Sequence, residues 1–96
     1  MVGLANAARR LAKARRLMTG LRDELSRSII EILAVRGPLN ISRLTLELRK
    51  RRGRASRRIV SDRVKMLKEK GLVTITSKGR EKIVDIPDDE EINRHG

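Results

Sequence analysis

The chain has 96 residues, enough for one small domain, and 24 Lys and Arg against 12 Asp and Glu give it a formal charge of +12. Such a balance favours polyanionic partners: DNA, RNA or an acidic membrane surface. Cys, Phe, Tyr and Trp are absent and His95 is the one histidine, which excludes disulfides, makes a metal site very improbable and argues against single strands stacked on aromatic rings.

The first predicted element is a basic amphipathic helix over residues 4–18. Its apolar stripe holds Leu4, Ala7, Ala8, Leu11, Ala14 and Met18, and the remaining sides hold Arg9, Arg10, Lys13 and Arg16. Without Ala8, the stripe has the spacing of a two-helix seam, so these five residues are the candidates for a homodimer interface. Packing on its own domain, or a role at a membrane surface or in targeting, stays open for this helix.

Gly20 separates that helix from a predicted core helix over residues 21–36, which ends at Gly37 and Pro38. Apolar residues occupy more than one of its sides, and Ile30 lies well off the main apolar face. A helix of this kind is either sandwiched inside its own domain or part of a subunit interface.

A third helix is predicted over residues 41–52, with Leu39 as a short extended connector and Asn40 as the N-cap. It runs into a basic stretch with a turn at Gly53, and seven of the ten residues from 49 to 58 are Lys or Arg. Basic stretches are often only solvated surface. Because this one joins two predicted helices, we favour contacts with phosphates.

Next comes a helix over residues 56–70, with the Ser56 hydroxyl as its cap and Gly71 at its end. One side is apolar, with Ile59, Val60, Val64, Met66 and Leu67; the other holds Arg58, Ser61, Asp62, Lys65 and Glu69. A helix that lies in a DNA major groove needs one side that packs on the core and another that carries hydrogen-bonding groups and positive charge. Arg63 falls within the apolar side, so we expect it to reach the edge or to pair with Glu31 or Glu47.

A β-hairpin follows, with strands over Leu72–Thr76 and Glu81–Ile86 and with Gly79 placed in the turn where positive φ is needed. Near its tip lie three cations that could reach a phosphate or the minor groove, namely Lys78, Arg80 and Lys82. A hairpin that only closes the core is the alternative. Pro87 ends the second strand.

Residues 21–86 resemble the winged helix-turn-helix regulators of bacteria and archaea. The resemblance is carried by Ser56, Ile59, Val60, Ser61, Arg63, Lys65, Leu67, Gly71, Leu72 and Val73, and by the entry Gly37, Pro38, Leu39, Asn40, Ile41, Ser42 and Leu44. It implies an α+β fold, mostly α: a three-helix core and a two-stranded wing, here preceded by an extra N-terminal helix. The chain then divides into an N-terminal helix over 1–19, a winged-helix domain over 20–87 and an acidic tail over 88–96 that we expect to be disordered.

The resemblance also implies site residues: Arg57, Arg58, Ser61 and Asp62 would face base edges, and Lys65 a phosphate. The neighbouring Arg51, Arg52, Arg54 and Ser56, with the three cations of the hairpin, complete the predicted DNA-binding set. Asp62 departs from the family pattern, in which a basic or neutral residue is common. Its carboxylate could accept a hydrogen bond from cytosine, repel a phosphate or orient the side chain of Arg58.

These patterns predict a cytoplasmic, nucleoid-associated transcription regulator that binds double-stranded DNA, with a homodimer as its expected form. Two alternatives are an RNA-binding winged-helix protein similar to one in the small ribosomal subunit of eukaryotes and archaea, and an architectural chromatin protein. No enzyme activity, cofactor or metal is expected, because the sequence shows no nucleophile–base pair, ligand cluster or phosphate loop. No membrane partner is expected either, since no apolar run approaches about 20 residues.

Overall fold

A computed structural model describes the backbone of residues 2–87 and the side chains of residues 8–87. The elements in chain order are α1 (Val2–Met18), α2 (Glu24–Arg36), β1 (Leu39–Asn40), α3 (Ile41–Arg52), α4 (Arg57–Glu69), β2 (Thr74–Lys78) and β3 (Glu81–Asp85). The fold is therefore α+β and mostly helical, as predicted. The predicted acidic tail lies outside the described residues. No helix within residues 2–87 is long and apolar enough to cross a membrane.

The sheet has three antiparallel strands in the order β1-β3-β2, so the predicted hairpin carries a further short strand on its edge. This strand is the expected connector: Leu39 pairs with Val84, and Asn40 pairs with Ile83. The hairpin turn is also tighter than predicted, because Lys78 belongs to β2 and pairs with Glu81. Gly79, in the remaining two-residue turn, has the predicted positive φ of 62°.

Among α2, α3 and α4, two helices begin at a residue whose side chain makes an N-cap hydrogen bond. The side chain of Asn40 caps α3, as predicted, by accepting from the backbone N–H of Arg43 at 2.7 Å. The Asp23 carboxylate caps α2 by accepting from the Ser26 N–H at 3.0 Å, so that helix begins at residue 24 rather than 21. Ser56 is the N-cap of α4, but its side chain makes no capping hydrogen bond, so the predicted hydroxyl cap is wrong.

The core is organised around α2, which packs against α1 on one side and against α3 and α4 on the other. Ile29, Ile30 and Leu33 of this helix are fully buried. Because Ile30 is buried within its own chain, the sandwiched alternative is confirmed. Val84 and Ile86 extend the core to the sheet.

The face that α1 turns toward the core differs from the predicted stripe. Ala14 and Met18 are buried as expected, but Leu11 is 38% exposed and Ala8 is exposed, whereas Lys13 is buried. The helix is thus rotated about its axis relative to the prediction, and the predicted apolar stripe lies only partly against the core.

Arg10 lies on the side of α1 that faces α2 and β3. It donates from Nη2 to the carbonyl oxygen of Leu33 at 2.8 Å and from Nε to that of Ala34 at 3.3 Å, both in the last turn of α2. Its Nη2 also lies 2.5 Å from Oδ1 of Asp85. Terminal helix carbonyls attract a cation, and a guanidinium can bridge several acceptors at once. The contact joins α1 to both α2 and β3.

We predict that Arg10→Ala lowers the free energy of unfolding by about 1–3 kcal/mol, because it removes a charged donor shared by three acceptors. Arg10→Lys should recover part of the loss, since it keeps the charge but not the planar fork. Denaturant unfolding measures the size of the loss. Hydrogen exchange should show faster opening concentrated in α1.

The matched control is Arg9→Ala, which removes a neighbouring exposed arginine that forms no ion pair with any of residues 8–87. It should change the free energy of unfolding by no more than about 0.5 kcal/mol. Equal losses for the two variants would mean that Arg10 does not hold α1 in place.

Candidate nucleic-acid interface

A groove opens where the first residues of α3 and the N-terminal half of α4 face the hairpin. We call it the α4–hairpin groove; it has a volume of about 320 Å³ and is lined by Asn40, Ile41, Ser42, Arg57, Ser61, Arg80, Glu81 and Lys82. Four of these residues, Arg57, Ser61, Arg80 and Lys82, belong to the predicted DNA-binding set. The fold therefore brings together side chains from the predicted recognition helix and from the hairpin.

The surface of α4 next to this groove is polar, as predicted. Arg58, Asp62 and Lys65 are exposed, while Val60 and Val64 are buried in the core together with Leu67. Asp62 makes no hydrogen bond or ion pair with Arg58 among the side chains of residues 8–87, so the suggested orienting role is not seen in the structure.

The buried side of α4 is narrower than predicted. Ile59 was placed on the core side, but 54% of its surface is exposed. The fully buried positions are three and four apart, Val60, Val64 and Leu67, and the predicted Met66 packs partly buried against the core. Ile59 lies about 100° around the helix from Val60.

The basic stretch between α3 and α4 does not form one continuous free surface. Arg51 is paired with Glu31 of α2, and Nη1 of Arg52 lies 3.8 Å from a carboxylate oxygen of Glu24. The two carboxylate oxygens of Glu47 also form ion pairs: one lies 2.9 Å from Nε of Arg36, and the other lies 3.5 Å from Nζ of Lys50. Glu47 and Lys50 are three positions apart within α3, but the other three ion pairs join positions distant in sequence that no local pattern could have revealed.

By contrast, the cations at the start of α4 remain available. Arg54, Arg57 and Arg58 are exposed, and none of them forms an ion pair within the described part of the chain. Of these three cations Arg57 lines the α4–hairpin groove, whereas Arg54 and Arg58 do not, and Ser56 does not line it either.

The hairpin cations are divided between its two faces. Arg80 and Lys82 line the α4–hairpin groove, whereas Lys78 lines a separate groove with Thr76 and Ile83. Strand alternation explains this division, because Lys82 pairs with Ser77 and therefore points to the face opposite that of Lys78. All three cations lie near the hairpin tip, as predicted, but on different faces of the hairpin.

A hydrogen bond links the hairpin to the start of α3. The amide of Asn40 donates from Nδ2 to Oε1 of Glu81 at 3.2 Å while its Oδ1 caps the helix. Neither residue was predicted from the sequence as part of the site, and Ser42 was not predicted either. A helix N-terminus is a known anion site, and that signal could have added Ser42; the placement of Glu81 requires the fold.

The position of α4 is fixed by an ion pair with α2. Nη1 of Arg63 lies 2.6 Å from Oδ2 of Asp23, so Arg63 does pair with an acid, but not with the expected Glu31 or Glu47. Burial tends to raise the pKa of Asp23, but hydrogen bonds from the Ser26 hydroxyl and N–H and the Arg63 charge outweigh it, and the pKa is lowered from 3.8.

The five residues proposed for a homodimer seam are not presented together. Ala14 and Met18 are packed in the core of their own chain, and Leu11 is partly exposed. The side chains of Leu4 and Ala7 lie outside the described residues. The homodimer stays a prediction, and the part of the seam formed by Ala14 and Met18 is already occupied by intramolecular contacts.

Comparison with models of protein families found none that matches this sequence, and comparison with curated proteins found no match. Any assignment of function must therefore be argued from the geometry and charge of the α4–hairpin groove.

We predict that the contribution of Asp23 to stability depends on pH. Its folded-state pKa is lowered, so this contribution is complete above the unfolded value of 3.8 and is lost as the pH falls through the lower folded-state pKa. Asp23→Asn keeps a capping oxygen but has no charge. The difference in unfolding free energy between wild type and this variant should be constant near neutral pH and decrease in acid.

Chemical denaturation over a range of pH values provides the test. Asp23→Ala serves as a reference that also loses the cap, at a further cost of about 1 kcal/mol. If the difference between wild type and Asp23→Asn were the same well below pH 3.8 as at neutral pH, the proposed effect of the Asp23 charge would be wrong.

Proposed function

We propose that the protein is a winged helix-turn-helix transcription regulator that binds double-stranded DNA. In this proposal α4 enters a major groove and the hairpin contacts the adjacent backbone or minor groove. The observation that carries the proposal is the α4–hairpin groove, in which Arg57 and Ser61 face Arg80 and Lys82 across one opening.

The exposed side of α4 has the chemistry needed to read base edges. Arg58 offers a planar fork of donors suited to guanine, Ser61 can donate or accept, and Asp62 can accept from cytosine. These side chains lie on successive turns of a helix of 13 residues, whose width fits a major groove. This polar side favours selective binding over purely architectural binding.

The groove itself suits a phosphate strand. Arg57, Arg80 and Lys82 supply positive charge from two sides, and the first N–H groups of α3, near Ser42, add the positive end of a helix dipole. Glu81 contributes a carboxylate to the same groove, where its bond with Asn40 holds the hairpin against α3. A bound phosphate would therefore lie toward the three cations and away from Glu81.

The two lysines of the hairpin provide a matched test of which face is used. Lys82→Ala should weaken binding to all duplexes alike, by about 3- to 10-fold at moderate salt, and should reduce the slope of log affinity against log salt by about one. Lys78→Ala removes the same side chain from the opposite face and should change affinity less than about twofold. Equal losses would argue against binding through the groove.

Sequence preference is tested separately with Arg58→Ala. Wild type first selects a duplex from a random pool. Random duplex and structured RNA are then added as competitors for the selected duplex. The variant should lose about 1–3 kcal/mol of discrimination at one base position. A uniform loss on all duplexes would make Arg58 a phosphate contact. Failure to select any duplex would indicate an architectural protein, and preferential displacement by RNA would favour the ribosomal alternative.

A further inference from the structure

A second basic surface lies on the outer side of α1, and we call it the α1 surface. It consists of Arg9, Arg15 and Arg16, all exposed and none in an ion pair with any residue in the described part of the chain. Wound as a helix, they span a sector of about 120°. Ala8 and Ala12 are also exposed within this sector, and their small side chains allow a polyanion to come close to the helix.

No carboxylate lies near these arginines in the sequence, since the first 22 residues contain no Asp or Glu. By contrast, Glu31 of α2 pairs with Arg51, and Glu47 of α3 pairs with Arg36 and Lys50. Within residues 8–87, therefore, no carboxylate forms an ion pair with the arginines of the α1 surface. Charge that remains free of carboxylate partners attracts phosphates at long range.

The α1 surface and the α4–hairpin groove belong to different elements, and no residue of α1 lines the groove. α1 and α4 pack against α2, and the arginines of α1 and the polar side of α4 each point away from it. The whole molecule measures 37 × 29 × 25 Å. A short straight duplex in the α4–hairpin groove would leave the α1 surface free for a second polyanion.

We propose that the α1 surface binds the phosphate backbone of a second DNA duplex, so that one molecule bridges two duplexes. Bridging rests on the proposed function for the first duplex, whereas binding by the α1 surface does not. Recognition there would be independent of sequence, because the surface offers cations between alanines and no array of groups that could read bases.

A duplex fits this surface better than a lipid bilayer does. Helices that lie in a membrane interface bury a continuous apolar face with large side chains. On α1, Ala14 and Met18 are committed to the core, and Leu11 is the one large apolar side chain exposed between residues 8 and 18, at 38%.

The experiment measures bridging directly. A short duplex is fixed to beads, a second short duplex carries a fluorophore, and the full chain is added at moderate salt. Wild type should retain the fluorescent duplex. The triple variant Arg9→Ala, Arg15→Ala, Arg16→Ala should retain at least about tenfold less, because three phosphate contacts are lost, while its affinity for a single short duplex changes less than about threefold.

A matched control removes the same charge from paired cations, as Arg36→Ala, Lys50→Ala, Arg51→Ala. It should bridge like wild type. Light scattering of each protein gives its mass, which for a monomer is 10.9 kDa. If wild type were a dimer and the α1 variant a monomer, bridging would come from self-association, and the proposal would be overturned.

Other outcomes also overturn it. The proposal fails if the α1 variant bridges two duplexes as well as wild type does. It also fails if wild type binds one duplex but does not bridge two, and this second result would leave the proposed function intact. Failure of wild type to bind any duplex would instead refute the proposed function. Vesicles of phosphatidylcholine with phosphatidylglycerol complete the test: α1-dependent binding to them without bridging would assign the surface to lipid.

Discussion

The burial of α2 on two sides is the constraint on which the arrangement of this protein depends. The buried residues from Ile32 round to Ala34, which include Ile29, Ile30 and Leu33, span a sector of about 200° of this helix, too wide for one neighbouring helix to cover. One side is covered by α1, which is held by Arg10, and the other is covered by α3 and α4, with α4 held by the pair of Arg63 and Asp23. The basic sides of α1 and α4 consequently each point away from α2.

The carboxylates determine where the excess positive charge is free to act. Glu24, Glu31 and Glu47 neutralise cations of α2 and α3 on the back of the basic stretch. Arg57 and Lys82, at the α4–hairpin groove, have no such partner within residues 8–87. The formal charge of +12 does not show where the positive charge lies, whereas the ion pairs show which cations have carboxylate partners. Localised charge next to hydrogen-bonding groups suits a specific nucleic-acid contact better than evenly spread charge does.

The sequence could predict features that depend on local chemistry. The bounds of α3, the cap at Asn40 and the positive φ of Gly79 were predicted, because capping and turn geometry involve adjacent residues. Features that depend on distant partners were not: the acceptors of Arg10 lie on α2 and β3, and the partner of Arg63 lies 40 positions away. For the site, sequence identified the polar side of α4, but it placed Lys78 in the hairpin turn, whereas Lys78 belongs to β2. Its side chain therefore lies on the face opposite that of Lys82, which the predicted turn could not show.

The central claim, that duplex DNA binds in the α4–hairpin groove, is tested most directly by mapping backbone amide shifts by NMR as a short duplex is added. The account predicts that the largest changes lie at residues 40–42, 57–65 and 80–82, with small changes at Thr74 and Thr76 on the other face of the hairpin. Largest changes on that other face, or no change in residues 57–65, would contradict the account.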